Sequence, residues 1–329
     1  MISDIKRREF IAALGVVGSL PFAARAQQPA LPVVAFLRVG SPDARYVAAF
    51  RKGLSESGVI EGQNVTVEYH WLESQLDSLP ELLADLVRRR VAVIATPFST
   101  PAALATKAAT ATIPIVFGVA EDPVRLGLVA SLARPGGNAT GINIFSQEVT
   151  AKRLRLLHDL VPKAVRIAVL VNPASAATAE PTLREVQEAA PIIGLQIQTL
   201  NASTIGEIDT AFADISRARS DALFVAGEAF FTSRRVQFVT LTARDKIPAT
   251  YSNRDFVAAG GLMSYGADLA DGFHQVGVYT GRILKGAKPA DLPVLQSTKF
   301  EFAINLKTAR ALGIDAPPAV LSIADEVIE

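Results

Sequence analysis

Residues 91–119 read VAVIATPFSTPAALATKAATATIPIVFGV, and the order of residue types here decides the fold. Residues 91–95 are apolar without alternation, as a strand covered on both faces must be. Thr96-Pro97-Phe98-Ser99-Thr100-Pro101 then turns the chain, and 101–111 is an alanine-rich run of helix formers. A second apolar strand follows at 113–119. Strand, helix and strand in this order make a parallel pair joined by a crossover helix.

The same unit repeats outward in both directions. Upstream, a strand at 32–37 ends in the turn Arg38-Val39-Gly40-Ser41-Pro42. Tyr46, Val47, Phe50 and Leu54 then mark one face of a helix over 44–57. A strand at 65–71 and a helix at 79–90 complete this part. Downstream, the loop Arg134-Pro135-Gly136-Gly137-Asn138 leads to an extended segment at 140–145, and the rhythm restarts. Helices are expected at 151–160, 178–190, 205–217 and 232–244, with strands at 166–171, 195–200, 222–226 and 249–251. Two such sets predict an α/β chain of two doubly wound, Rossmann-like lobes, since a single eleven-stranded sheet would be unusually wide.

The last part breaks the pattern. After Gly260-Gly261 come a strand at 262–265, a helix at 269–284, an extended run at 294–305, a helix at 306–312 and a tail at 324–329. A chain that leaves one lobe near Phe145 and returns near Gly261 ties the lobes by a multi-strand hinge. The expected division is 1–26 as an export signal, 27–145 with about 262–290 as lobe I, and 146–261 with about 291–329 as lobe II.

The export signal rests on Lys6-Arg7-Arg8, the short apolar stretch 10–24 and the small-x-small site Ala24-Arg25-Ala26. Those 15 residues, with Gly15, Gly18 and Pro21 among them, fall short of the ~20 that span a bilayer. Cleavage is expected near Ala26-Gln27, leaving a protein in the periplasm. Arg7-Arg8-Glu9-Phe10-Ile11 resembles the twin-arginine export motif, with Lys6 where Ser or Thr is usual.

Composition narrows the chemistry. The 329 residues hold 33 Lys and Arg against 32 Asp and Glu, and no cysteine. A net charge of +1 gives no broad attraction to nucleic acid. Without cysteine there is no disulfide, thiol nucleophile, thiolate metal site or lipid anchor. His70, His158 and His274 share no metal-ligand spacing, and no Gly-x-Ser-x-Gly, Walker or Gly-x-Gly-x-x-Gly motif is present. No catalytic residue, metal or cofactor is expected.

Binding residues are easier to place, because ligands of open α/β sheets sit beyond the carboxyl ends of the strands. That rule selects Gly40 and Ser41 after the first strand, and Thr96, Phe98, Ser99 and Thr100 after the third. Ser99 and Thr100 precede Pro101, where they would hold a carboxylate, cap a helix, or both. Asp122 follows the fourth strand beside Glu121. Asn172, Ser175 and Glu228 hold the matching positions in the second half, and Tyr251 and Tyr265 stand near the expected return crossing.

Four longer stretches carry a family resemblance: VASLARPGGNATG at 129–141, AGGLMSYG at 259–266, ILKGAKPADLPV at 283–294 and INLKTARALG at 304–313. Together they resemble the ABC transporter substrate-binding family that includes tryptophan-type receptors, over about 32–329. The resemblance implies a type I periplasmic binding protein, a monomer that captures a small organic solute and hands it to an ABC permease in the inner membrane. It also implies that the 96–100 loop meets a carboxylate while Asn172 and Glu228 meet the solute from the other lobe. The chain departs from the family at Thr96-Pro97-Phe98-Ser99, where a Gly-rich loop is frequent. It departs again at Gly227-Glu228-Ala229, where tryptophan-type members carry Asp-Asn. The solute is therefore an amino acid, an aromatic carboxylate or another small organic acid. Two other readings use the same cleft: a secreted α/β enzyme with Ser99 and His70, and a sensor for a membrane signalling protein.

Overall fold

Unbroken apolar runs become inner strands, and the periodic runs between them become the helices that cover both faces. The computed structural model describes residues 30–40, 42–72, 76–144 and 147–329. The expected export signal, Ser41 and Phe145 lie outside the described residues. The chain from Pro32 to Glu329 forms one unit. Of the segment before it, Ala30 and Leu31 are described, and both are exposed.

In chain order, the first part holds β1 (Val33–Arg38), α1 (Ala44–Glu56), β2 (Thr66–Trp71) and α2 (Leu79–Arg89). It continues through β3 (Val93–Thr96), α3 (Thr100–Ala109), β4 (Ile115–Val119) and β5 (Ala139–Asn143). Then come α4 (Gln147–Leu160), β6 (Arg166–Val171), α5 (Ala176–Ala189), β7 (Gln196–Asn201), α6 (Ile205–Ala218) and β8 (Ala222–Val225). Next are α7 (Ala229–Ser233), α8 (Arg235–Asp245), β9 (Ala249–Tyr251), α9 (Arg254–Ala258) and β10 (Met263–Ala267). The chain ends with α10 (Leu269–Leu284), β11 (Leu295–Gln296), β12 (Phe300–Asn305), α11 (Leu306–Ala311), α12 (Pro318–Leu321) and β13 (Glu326–Ile328).

Two sheets result. The first runs β11-β5-β4-β3-β1-β2 and the second β13-β12-β10-β9-β8-β6-β7. Pairing is parallel throughout, apart from the antiparallel β10–β12 pair. Inner strands such as β3, β4 and β8 are buried at every residue, whereas the edge strands β2 and β7 are largely half-buried or exposed. In each sheet the first strand sits between the second and third, so successive crossovers leave it in opposite directions. That creates a switch point between β1 and β3, and another between β6 and β8.

Two boundaries differ from the sequence expectation. β10 belongs to the second sheet, wedged between β9 and β12, so the crossing expected near Gly261 falls at Asp268. Conversely, β11 returns to the first sheet beside β5, and the side chain of Val294 fills the first lobe's core with Leu128 and Val129. The run expected to be extended over 294–305 therefore splits between the sheets. Backbone bonds Ser297 N–Asn143 O (2.8 Å) and Asp268 N–Lys299 O (3.0 Å) lace the crossings together. The helix expected over 232–244 breaks at Arg234 into α7 and α8.

α10 follows the crossing at Asp268 and packs on α1 in the first lobe. Its Phe273, Val276, Tyr279 and Ile283 join Phe36, Tyr46 and Phe50 in one core. The two helices touch backbone to backbone, which glycine makes possible. A Cβ on Gly277 would lie 2.1 Å from the Phe50 carbonyl oxygen, and one on Gly53 2.0 Å from that of His274. No helix among the described residues is long and apolar enough to cross a membrane.

Candidate functional site

At the two switch points, hydrogen bonds tie Ser99, Thr100 and Asn172 to their neighbours in ways the sequence did not specify. Gly40 has φ +128 and open space where a Cβ would stand. The backbone N–H of Val39 donates to the Ser99 hydroxyl at 3.2 Å, tying the β1 and β3 ends across the switch point. Ser99 is therefore no side-chain cap for α3, and it is almost fully buried. Thr100 donates to the Glu121 carboxylate at 2.7 Å, joining the β3 and β4 ends. Thr96 is buried outright, and no described residue pairs with its hydroxyl.

Phe98 faces the first lobe's core. Its φ of +50 is costly for a side chain of this size. The ring fits where Gly118 and Gly272 leave room, 5.2 Å from the ring of Phe273. Asp122 accepts the Val124 N–H at 2.8 Å and holds a turn.

On the second lobe, the Asn172 side-chain oxygen accepts from Ala174 N (3.0 Å) and the Ser203 hydroxyl (2.8 Å). Ser175 lies half-buried at the end of the adjoining 3-10 turn. The Glu228 carboxylate caps α7, accepting from Phe230 N (3.0 Å) and Phe231 N (2.8 Å). Burial pushes this carboxyl above the ordinary range. The two N–H bonds and Asn172 oppose the rise, while the charge of Glu121 on the other lobe adds to it.

Two aromatic candidates are corrected. Tyr251 is fully buried, stacked on Phe256 at 4.4 Å with its hydroxyl 3.2 Å from that of Thr242. Tyr265 lies in the second core between Phe300 and Phe302, with Lys152 over its ring at 4.5 Å. Tyr251 reaches no solute while that core stays packed.

Arg38 was read from sequence as a turn residue only. It ends β1, at the switch point, with its guanidinium 5.2 Å from the Phe273 ring centroid and 5.5 Å from that of Tyr46. Those rings stack on each other at 4.5 Å, so the arginine has an aromatic pair as its neighbour. Among the described residues nothing accepts from its buried Nε, and no carboxylate is within ion-pair distance. Burial lowers its pKa. Tyr46, Asp255 and Asp43 oppose that shift, and Arg235 reinforces it.

The lobes touch beside this arginine. The Tyr46 hydroxyl donates to the Asp255 carboxylate, 2.8 and 2.9 Å from its two oxygens. Asp255 is placed by Asn253, which caps α9 by accepting the Asp255 N–H at 3.2 Å. The nucleophile pair of the enzyme reading is not assembled. His70 lies on β2 and Ser99 beyond β3, with β1 between those strands, about 10 Å of sheet. A separate groove of about 960 Å³ lies on the first lobe alone, lined by Val47, Arg51, Ile60, Tyr69 and Trp71 among others.

Two mostly parallel sheets of matching order, joined by three crossings and facing each other at their switch points, define a type I periplasmic binding protein. Over residues 32–328 the chain matches the family described as ABC transporter substrate binding protein, and it belongs to that family. A tyrosine-binding protein of Clostridioides difficile (strain R20291) is 27% identical over 263 residues, 80% of this chain and 75% of that protein. A Streptococcus pneumoniae ABC domain in complex with L-Trp is 25% identical with a TM-score of 0.80, covering 91% of this chain and 100% of that one. A conserved domain protein of Vibrio cholerae O1 biovar El Tor is 27% identical with a TM-score of 0.76, covering 90% and 99%. The family is one of substrate-binding receptors, extracytoplasmic as a rule, that serve ABC transporters.

Proposed function

We propose that the mature protein is a monomeric receptor, released into the periplasm by cleavage near Ala26, that encloses a small organic acid between its lobes and presents it to an inner-membrane permease. Within that reading, 32–143 with 269–296 form lobe I, and 147–267 with 300–328 form lobe II. The crossings near Ile144, Asp268 and 297–299 act as the hinge. Nucleic acid has no part in this, and the solute leaves unchanged.

The observation that carries the reading is the Tyr46–Asp255 hydrogen bond. It joins the lobes at the strand ends, where both switch points offer polar groups, as a closed cleft requires. Relatives with bound tryptophan or named for tyrosine support an amino acid or a similar aromatic acid as the solute. Free energy of contact with both lobes would favour the closed form, which a permease can distinguish from the open one.

The test is mass spectrometry of small molecules released by denaturing the purified protein, followed by calorimetry with those found. A single organic acid binding at one site is the expected result. Product formation from that acid, or a second equivalent site, contradicts the reading.

A further inference from the structure

A guanidinium N–H buried without an acceptor is costly, because its desolvation is not offset by a hydrogen bond. Arg38, half-buried at the first lobe's switch point, nevertheless has its Nε buried without an acceptor among the described residues, and its guanidinium lies 5.5 and 5.2 Å from the Tyr46 and Phe273 ring centroids. Asp43 and Asp255 are near enough to influence it, yet neither pairs with it. Asp255 is instead engaged by the Tyr46 hydroxyl. A guanidinium cannot discharge itself by losing a proton at any ordinary pH.

We propose that Arg38 anchors the carboxylate of the captured solute, whose oxygens supply the acceptors that the chain withholds. The proposal rests on the receptor reading above. Geometry favours a carboxylate over a phosphate. The parallel N–H groups of one guanidinium match two coplanar oxygens and balance a single charge. Asp43 and Asp255, the acidic groups that act on Arg38, oppose a dianion there. Tyr46 links the anchor to closure, since the ring beneath Arg38 is the one whose hydroxyl reaches Asp255 in the other lobe.

The experiment compares wild-type protein with Arg38→Gln and Arg38→Lys, all stripped of solute by unfolding and refolding. Affinity is measured by calorimetry for benzoate, phenylacetate, L-tyrosine and L-tryptophan, with benzamide, phenylacetamide and tryptamine as counterparts lacking the carboxylate. Acids released from the purified protein are added to the panel. Wild-type protein should bind at least one acid and reject its uncharged or decarboxylated counterpart. Arg38→Gln should weaken that acid at least about tenfold, with Arg38→Lys in between. The solute-free Gln variant should unfold at or above the wild-type temperature, because it no longer buries a guanidinium N–H without an acceptor. Unchanged affinity in Arg38→Gln, or an amide bound as tightly as its acid, overturns the anchor and leaves the receptor intact. A lower unfolding temperature with affinity retained does the same, making Arg38 structural. Wild-type protein that binds no acid overturns the receptor reading and the anchor together.

Discussion

In the second lobe the chain itself pairs three of the polar side chains at the strand ends. Glu228 caps α7, Asn172 holds the turn after β6, and Asn253 caps α9. In the first lobe Ser99 and Thr100 are likewise engaged, but Arg38 is left with aromatic faces and no acceptor. Two lobes of one topology thus contribute differently to a shared cleft. The second provides a fixed polar wall whose shape does not depend on a solute. The first holds a half-buried arginine whose Nε has no acceptor among the described residues. Under the proposed reading, preorganisation on one side and the unpaired Nε on the other would make anion binding and closure a single event.

The lobes also differ in how they can be broken. The sequence holds a single tryptophan, Trp71 on β2, so its fluorescence reports the first lobe alone. The largest effect is expected from Gly277→Val, which forces α10 away from the Phe50 carbonyl on α1. Overpacking at a backbone contact should cost about 3 kcal/mol or more, lowering the Trp71 transition by roughly 6–12 °C. Far-ultraviolet dichroism should then show a later second transition from the other lobe. One coincident transition would mean the lobes unfold as a unit.

Tyr46→Phe comes next. It removes the donor to Asp255, a bond to a charged group of about 1.5–3 kcal/mol. Solute-free protein should open, seen as a larger radius of gyration in small-angle scattering, and affinity for its acid should fall. An unchanged radius would show that the contact does not govern closure.

Ser99→Ala leaves the Val39 N–H without its acceptor, at about 1–3 kcal/mol. The Trp71 transition should drop while affinity changes by less than about threefold. An unchanged transition with a tenfold loss of affinity would return this hydroxyl to the solute, as the sequence first suggested.

Glu228→Gln should be the mildest. Because burial raises this carboxyl, the folded chain holds its proton to higher pH than the unfolded chain does. Stability therefore falls as pH rises from the ordinary glutamate value toward the raised one. The Gln variant should flatten that slope, by less than about 1.4 kcal/mol per pH unit. Glu185 and Glu301, also raised by burial, keep the remainder. A steeper slope in the variant would mean the caps to Phe230 and Phe231 dominate.

The alternation of β and α was legible because parallel strands need apolar runs and their covers need a helical period. The run expected as a strand at 249–251 coincides with β9. Sheet membership was not legible at 262–265, since an apolar strand carries no mark of which sheet it joins. The break at Arg234 was invisible, because residues on both sides of it favour helix. Asn172 and Glu228 were read at strand ends, where the fold puts them, but what their side chains contact was not legible. Tyr251 and Tyr265 misled because an aromatic at a strand end suits core and cleft equally, and only packing against Phe256 or Phe302 separates the two. Arg38 escaped notice for a related reason. A turn arginine is ordinarily solvated, and its lack of partners emerges only when Tyr46 and Phe273 come together beneath it.

The central claim is that the solute lies between the lobes at the two switch points, with its carboxylate on the first. A crystal structure of the protein grown with the acid released from it tests this most directly. The account predicts the acid enclosed between the β1 and β3 ends and the β6 and β8 ends, its carboxylate within hydrogen-bond reach of Arg38. The same acid seated in the groove along α1 and β2, against Tyr69 and Trp71, would contradict it.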